Sequence, residues 1–452
     1  MTECIAPIEP KVSSQLPLFV EFDAPQISSD GGVLLLRQLD EQLGLTESLA
    51  ACVSDGRAEH RVVHTRHEQL QQRVFQIALG WADCNDADWL RHDPLWKTVC
   101  GRTPEDTAGL SSQPTLSRFE NSLSGRSLGR VLRQFERGYL DGLPRDRKTV
   151  ILDIDSTDDP THGAQQLSFF HGFFRQHMYH PLLVFDGETG ELITAILRPG
   201  RAHASRGAKG VLRRLIRKIR RRCPEAQIVV RGDSGFCVPR ILRELERLDE
   251  QLGGVDYLLG MAKNSRLLHH LDPTLQQARE LFAQRQEKVV LFHSFHYAAG
   301  TWPHKRCMIG KAEVTVLGRN PRFVVTSLED VDPEILYRTY CQRGECEGWI
   351  KDLKNALAAD RLSCSAFRAN FFRLLLHAAA YRLLCALRRA IQPHSARLGR
   401  AQSDTLRLRL LKIAAIVTQS TRRILIRLPR AHPQARLFRD LLATIPLRPA
   451  PT

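Results

Sequence analysis

Among the chain's 11 cysteines there is no Cys-x-x-Cys pair, and the sequence has no Walker-type glycine loop and no His-Glu-x-x-His run. The scattered cysteines argue against a structural zinc site and against a disulfide framework. The other two absences leave nucleotide-driven motors and zincin-type hydrolases without support, so no nucleotide cofactor is expected. Long apolar runs are missing too. The longest stretch, 371–387, is broken by Arg373, His377 and Arg382, and no membrane span or membrane partner is expected. Met1 to Pro7 carries neither a basic run nor an apolar one, so an intracellular protein with reduced thiols is expected. Acid is scarce in one place above all. Residues 361–452 hold 18 Lys and Arg against only Asp404 and Asp440, which accounts for the whole net charge of +16. Residues 1–360 are balanced. A polycation at one end of a chain predicts nucleic acid as the partner.

The 452 residues are long for one domain and predict two or three folded units. Residues 1–145 read as an irregular start followed by helices, with helical spacing over 68–85 and 117–139 and a turn at Asp141-Gly-Leu-Pro144. At 146 the texture changes. Lys148-Thr-Val-Ile-Leu-Asp-Ile-Asp155 predicts a strand ending in acids, and strands follow at 180–186 and 191–197. A basic amphipathic helix is expected over 208–222, with Val211, Leu212, Leu215, Ile216 and Ile219 on one face. Another strand, Gln227-Ile-Val-Val-Arg-Gly-Asp233, ends in an acid. A helix from Pro239 and a strand over 256–261 complete a mixed sheet flanked by helices. Residues 262–321 read as a β-rich insertion that returns to the sheet near 322–327. Asp332-Pro333 is a helix start, an acid at the cap and Pro at the first position, and that helix is expected to reach about Ala359. The segments are thus 1–145, 146–261, 262–321, 322–360 and 361–452, the last expected to be helical.

Four acids stand out: Asp153 and Asp155 at the end of the first strand, Asp233 at the end of a later one, and Glu347 within the last helix. Ligand chemistry collects at such strand ends, but an Asp there also serves simply to form a turn. The helix changes the balance. At about 100° per residue, Arg343, Glu347 and Lys354 fall at about −60°, −20° and −40° from Tyr340, an arc of about 60°. An i, i+4 ion pair of Arg343 with Glu347 on a solvated face would explain part of this. A metal-binding Glu flanked by phosphate-contacting side chains explains all of it.

Tyr340-x2-Arg343-x3-Glu347-x6-Lys354 resembles the YREK signature of bacterial insertion-sequence DDE transposases. Leu152-Asp-Ile-Asp-Ser-Thr157, His180-Pro-Leu-Leu183, Leu197-Arg-Pro-Gly200 and Arg231-Gly-Asp-Ser-Gly-Phe236 are similar to motifs of the insertion-sequence family numbered 1380, related to piggyBac-type elements. The resemblance spans roughly 110–440, and it implies a bacterial cytoplasmic protein associated with the nucleoid. It implies an RNase H-like α/β core with a mixed sheet, interrupted by a β-rich insertion and flanked by helical N- and C-terminal regions. It implies a catalytic and metal-binding triad of Asp155, Asp233 and Glu347. Asp155 is preferred over Asp153 because the family acid precedes a small hydroxyl residue, here Ser156. Alternation puts both acids on one face, so Asp153 stays open. Three carboxylates suit Mg²⁺ or Mn²⁺, two ions in all. Double-stranded DNA, as terminal inverted repeats and as target, would be the substrate of a homodimer in a synaptic complex, with phosphate held by Tyr340, Arg343, Lys351 and Lys354.

Other readings compete. Asp153-x-Asp155-x-Thr157 also resembles the nucleophile loop of haloacid-dehalogenase-type phosphatases, but Asp233 is followed by no second Asp and the Tyr-Arg-Glu-Lys face is left over. An EF-hand over Asp153 to Asp159 lacks the glycine at its sixth position. His171, His177 and His180 match no zinc spacing. Residues 198–222 hold eleven Lys and Arg and no acid, so Arg213, Arg217 and Arg221 are candidates for DNA phosphates. Gln113-Pro-Thr-Leu-Ser-Arg118 resembles the start of a DNA-reading helix, against a plain packing turn. Trp302 could stack on a base, although packing explains it more simply. An inactive relative that only binds DNA is the remaining reading from another class.

Overall fold

The computed structural model describes residues 8, 10, 16–21 and 26–446. The chain divides into two units: residues 48–55 with 120–385, and residues 1–47 with 56–119 and 386–452.

The first unit is built on a mixed sheet. β1 (Thr149–Ser156), β2 (Leu182–Asp186) and β3 (Leu192–Ile196) form an antiparallel meander. After α1 (Ala208–Arg222), β4 (Gln227–Gly232) pairs parallel to the other edge of β1. After α2 (Pro239–Leu252), β5 (Val255–Met261) pairs parallel to β4. The spatial order β3-β2-β1-β4-β5, with only the last two strands parallel to the first, is the RNase H-like arrangement. The residues explain it. The βαβ connections through α1 and α2 enforce the parallel pairs, whereas Gly187-Glu-Thr-Gly190 is short enough only for an antiparallel return.

The 262–321 segment differs from the expected piece in one element. It opens with α3 (Ser265–Arg285), whose Leu267, Leu271, Leu275 and Ala278 are buried. β6 (Val289–Tyr297) and β7 (Arg306–Thr315) follow, and β8 (Arg322–Thr326) joins them to β5 in antiparallel register. The insertion therefore prolongs the core sheet. Strand alternation sorts its two faces. Val150, Leu152, Ile154, Ile228 and Val230 turn to one side, under α1, α2, α3 and the helix Gly125–Gly142. Ile151, Val229, Leu258, Ile309 and Val324 turn to the other, under α4 (Pro333–Cys341). α5 (Gly344–Lys351) and α6 (Phe367–Ile391) complete the set. A small sheet of Asp159–Pro160, Phe169–His171 and Gln176–Tyr179, which no sequence pattern announced, lies between β1 and β2 in the chain.

The second unit joins N- and C-terminal segments. Strand Ile27–Ser28 pairs with Ala415–Gln419, which turns back as Ile424–Arg427, so the basic tail is not wholly helical. Buried Asp30 accepts hydrogen bonds from Trp81 Nε1 (2.9 Å), Trp96 Nε1 (3.0 Å) and Lys412 Nζ (2.7 Å). Gln38 Nε2 donates to the carbonyls of Leu442 and Ile445. The run from Gln113 is a helix, Gln113–Asn121. No described helix is long and apolar enough to cross a membrane.

Candidate active site

β1 and β4 run parallel with Asp153 opposite Arg231 and Ile154 opposite Gly232. Asp155, near the end of β1, and Asp233, the residue after β4, therefore come to the carboxyl ends of adjacent parallel strands, where α/β sheets present ligand-binding groups. Asp233 Oδ1 also accepts from Gly235 N at 2.9 Å, so the turn-forming role holds alongside any other.

Asp153 and Asp155 do share a sheet face, and their surroundings differ. Asp153 is fully buried and takes a two-pronged bond from Arg231, Nε to Oδ1 and Nη2 to Oδ2, each 2.6 Å. Arg231 is itself fully buried and donates onward to the Thr339 carbonyl of α4 at 2.7 Å. Both charges are spent on each other, as a buried pair requires. Asp155 has no such partner. Its Oδ1 accepts from Ser156 N at 2.7 Å, and its Oδ2 lies 3.5 Å from Arg343 Nη1. Burial, reinforced by the neighbouring Asp233 charge, pushes its pKa up to about 6.

The predicted helix over 333–359 is not continuous. α4 ends at Cys341, and Arg343, Glu345 and Cys346 donate to carbonyls three residues back, on Tyr340, Gln342 and Arg343. This is a 3₁₀ step, at three residues per turn, and it advances α5 further round the axis than a uniform wheel allows. A wide π turn over Asp352–Ala356 undoes the spacing again before Lys354. Arg343 still reaches the acids: its Nη2 lies 3.6 Å from Glu347 Oε1 while Nη1 faces Asp155. Glu347 remains 57% exposed. Tyr340 packs so closely on β5 that a Cβ at Gly260 would meet its hydroxyl at 2.5 Å. Burial raises the Tyr340 pKa, Arg343 opposes the rise and Asp233 adds to it, which places all three in one neighbourhood. Lys354 stands apart, with its Nζ 2.9 Å from Asp158 Oδ1 and 3.8 Å from Asp360. Lys351 is exposed.

The carboxylates do not close on a single point. Among the described residues no three His, Cys, Asp or Glu side chains are grouped to hold a metal ion. The charge that bridges Asp155 and Glu347 is the Arg343 guanidinium.

The other candidates lie elsewhere. On α1, Arg213 is bound at both prongs by Glu244 (2.6 and 2.9 Å), Arg217 reaches Gln251 at 3.2 Å, and Arg221 is exposed. α1 covers the sheet face opposite the acids. Trp302 is buried, edge-on to Tyr297 and under the Arg306 guanidinium, which is the packing role. His171 and His180 meet edge-on with ring centres 5.2 Å apart, and burial lowers the His180 pKa to about 4. Two partners escaped the sequence reading. Arg231 neutralises Asp153, and an arginine within an otherwise apolar strand was the available sign. Asp158 holds Lys354, and only the fold of 157–179 brings it there.

A family model of the transposase DDE domain, group 1, matches residues 11–450. No curated protein matches. Among solved structures the chain is similar to a piggyBac transposase synaptic complex with hairpin DNA, at 12% identity over 93% of this chain and 86% of that one, with a TM-score of 0.43. The extent of the family match, nearly end to end, settles membership: this chain belongs to the DDE-domain transposases of group 1.

Proposed function

We propose that this DNA transposase cuts at the terminal inverted repeats of its own element and joins the freed ends to target DNA, using Asp155, Asp233 and Glu347. The observation that carries the reading is the contrast between the two acids of β1. Asp153 is neutralised by Arg231, whereas Asp155 is half-buried near Asp233, with its pKa raised to about 6 and the Arg343 guanidinium 3.5 Å away. Carboxylates with unspent charge suit hard divalent cations, Mg²⁺ or Mn²⁺. Asp155, Asp233 and Glu347 would hold them, Glu347 swinging in from its exposed position. Such ions, when bound, stabilise the attacking and leaving oxygens of an in-line phosphoryl displacement.

The protein's own groups do the rest. In cutting, a water oxygen bonds to phosphorus, the bond to the 3′ oxygen breaks and the end leaves as a 3′-hydroxyl. In joining, that hydroxyl attacks a target phosphodiester and displaces its 3′ oxygen, so no energy source is consumed. With Asp155 and Glu347 holding a cation, Arg343 would be free of both, and its planar fork would suit a phosphate. Tyr340 orients it. The helical segment 1–145 is the proposed reader of the element's ends, and 361–452 supplies backbone contacts and a dimer contact. Cleavage of DNA flanking the gene, with Mg²⁺ and with chelator, tests the reading. Specific binding without cutting would favour an inactive relative that only binds DNA.

A further inference from the structure

The eleven basic residues of 198–222 are largely consumed by the fold. Glu244 takes Arg213 with Lys209 and Arg247, and fully buried Glu136 takes Arg214 and Lys218. Arg220 and Arg222 cap main-chain carbonyls. Of the remainder, Arg221 joins other cations in one place. Between the helix Gly125–Gly142 and α1 lies an open groove of about 720 Å³ that receives Arg130, Arg133 and Arg137 from one wall and Lys218, Arg221 and Arg222 from the other. The compensation is slight. Arg137 faces the exposed Asp141 at 3.6 Å, and Lys218 shares Glu136. Among the described residues, Arg130 bonds only to the hydroxyls of Ser54 and Ser127, and Arg221 only to the Arg217 carbonyl. Exposed guanidiniums from two converging helices, with neutral partners, make a surface for a polyanion whose charges repeat along a line.

We infer that this groove binds the phosphate backbone of duplex DNA, at a place separate from the acids. The separation follows from the sheet. Both groove helices pack on the Leu152 and Ile154 face, whereas Asp153 and Asp155 are on the other. The sheet and a layer of helices, each about 10 Å across, stand between groove and acids. A straight duplex held at the acids does not reach the groove, so the groove holds a different stretch: flanking DNA that has turned around the core, or a second segment. The inference rests on the transposase reading for its choice of polyanion.

Three arginines without a carboxylate partner provide the test. In full-length protein, Arg130→Gln, Arg133→Gln and Arg221→Gln together remove three charges and strand no acid. A charge-matched control replaces Arg266, Arg279 and Arg285 of α3 by Gln. Affinity for a labelled 30-base-pair duplex of random sequence is measured by anisotropy between about 50 and 200 mM salt. The groove variant is expected to bind about tenfold more weakly, with a log-log salt slope shallower by about 2 to 3, since each phosphate contact contributes about 0.9. The control is expected to match wild type, and all three proteins to melt alike. Equal affinity and slope in the two variants would overturn the groove. So would a groove variant that keeps the duplex and loses single-stranded RNA. Glu347→Gln serves as the independent arm. If the groove effect appears while neither wild type nor Glu347→Gln cuts DNA, the groove stands and the cleavage reading fails.

Discussion

At the scale of single residues, the account turns on two aspartates two positions apart whose charges meet different fates. Asp153→Ala strands the buried Arg231 and is expected to cost about 3–5 kcal/mol of stability, read as a lowered urea midpoint. Asp155→Asn is expected to act the other way. Its carboxyl has a folded pKa of about 6 against an ordinary 3.8, so the folded state favours the protonated form. That stability is present below about pH 4 and is lost as pH rises through about 6. In EDTA at pH 8 the Asn variant should therefore be the more stable protein, by about 1–3 kcal/mol. Its advantage should open between about pH 4 and 6 and stay flat above. Mg²⁺ should raise the melting temperature of wild type and not of Asp155→Asn. An Asn variant that melts below wild type at every pH would show that Asp155 is a structural residue like Asp153.

At the scale of elements, the strands were legible because alternation and β-branched runs mark them, and α1 occupies just the span its apolar spacing predicts. α3 was hidden by Pro273, which sits inside the helix and reads as a breaker, although Leu267, Leu271 and Leu275 keep the four-residue spacing. The 3₁₀ step after α4 was illegible, because nothing in Gln342 and Arg343 forbids a plain α-helix. The wheel that grouped Tyr340, Arg343, Glu347 and Lys354 thus named neighbours of the acids in three cases, while Lys354 went to Asp158 instead. The motif Leu197-Arg-Pro-Gly200 has a reason only the fold gives. A Cβ on Gly200 would collide with the main-chain carbonyl oxygens of Met178 and Phe169. Gly200→Ala is expected to push the small sheet over 159–179 away from β1, lowering the melting temperature by several degrees and cutting activity at least tenfold. Unchanged melting and activity would mean that sheet is dispensable.

At the scale of the whole molecule, charge arithmetic pointed to nucleic acid, but it does not show which cations the fold already pairs. The tail's Lys412 is bound to buried Asp30, and half of α1's cations serve Glu136 and Glu244. Sequence counts charges and cannot count partners. DNA affinity should still fall log-linearly with salt, and a flat affinity between about 50 and 200 mM would contradict a phosphate-dominated interface. Asp30→Ala, which orphans two indole N–H groups and Lys412, should destabilise the unit that joins the two chain ends by about 3–5 kcal/mol, with limited proteolysis as the readout. The central claim is the chemistry assigned to Asp155, Asp233 and Glu347. Its most direct test is cleavage of DNA flanking the chain's own gene in Mg²⁺, Mn²⁺ or EDTA, with Glu347→Gln alongside. The account predicts metal-dependent cutting at both element ends, abolished in the variant while end binding stays within about twofold. Cutting by Glu347→Gln at the wild-type rate would contradict it.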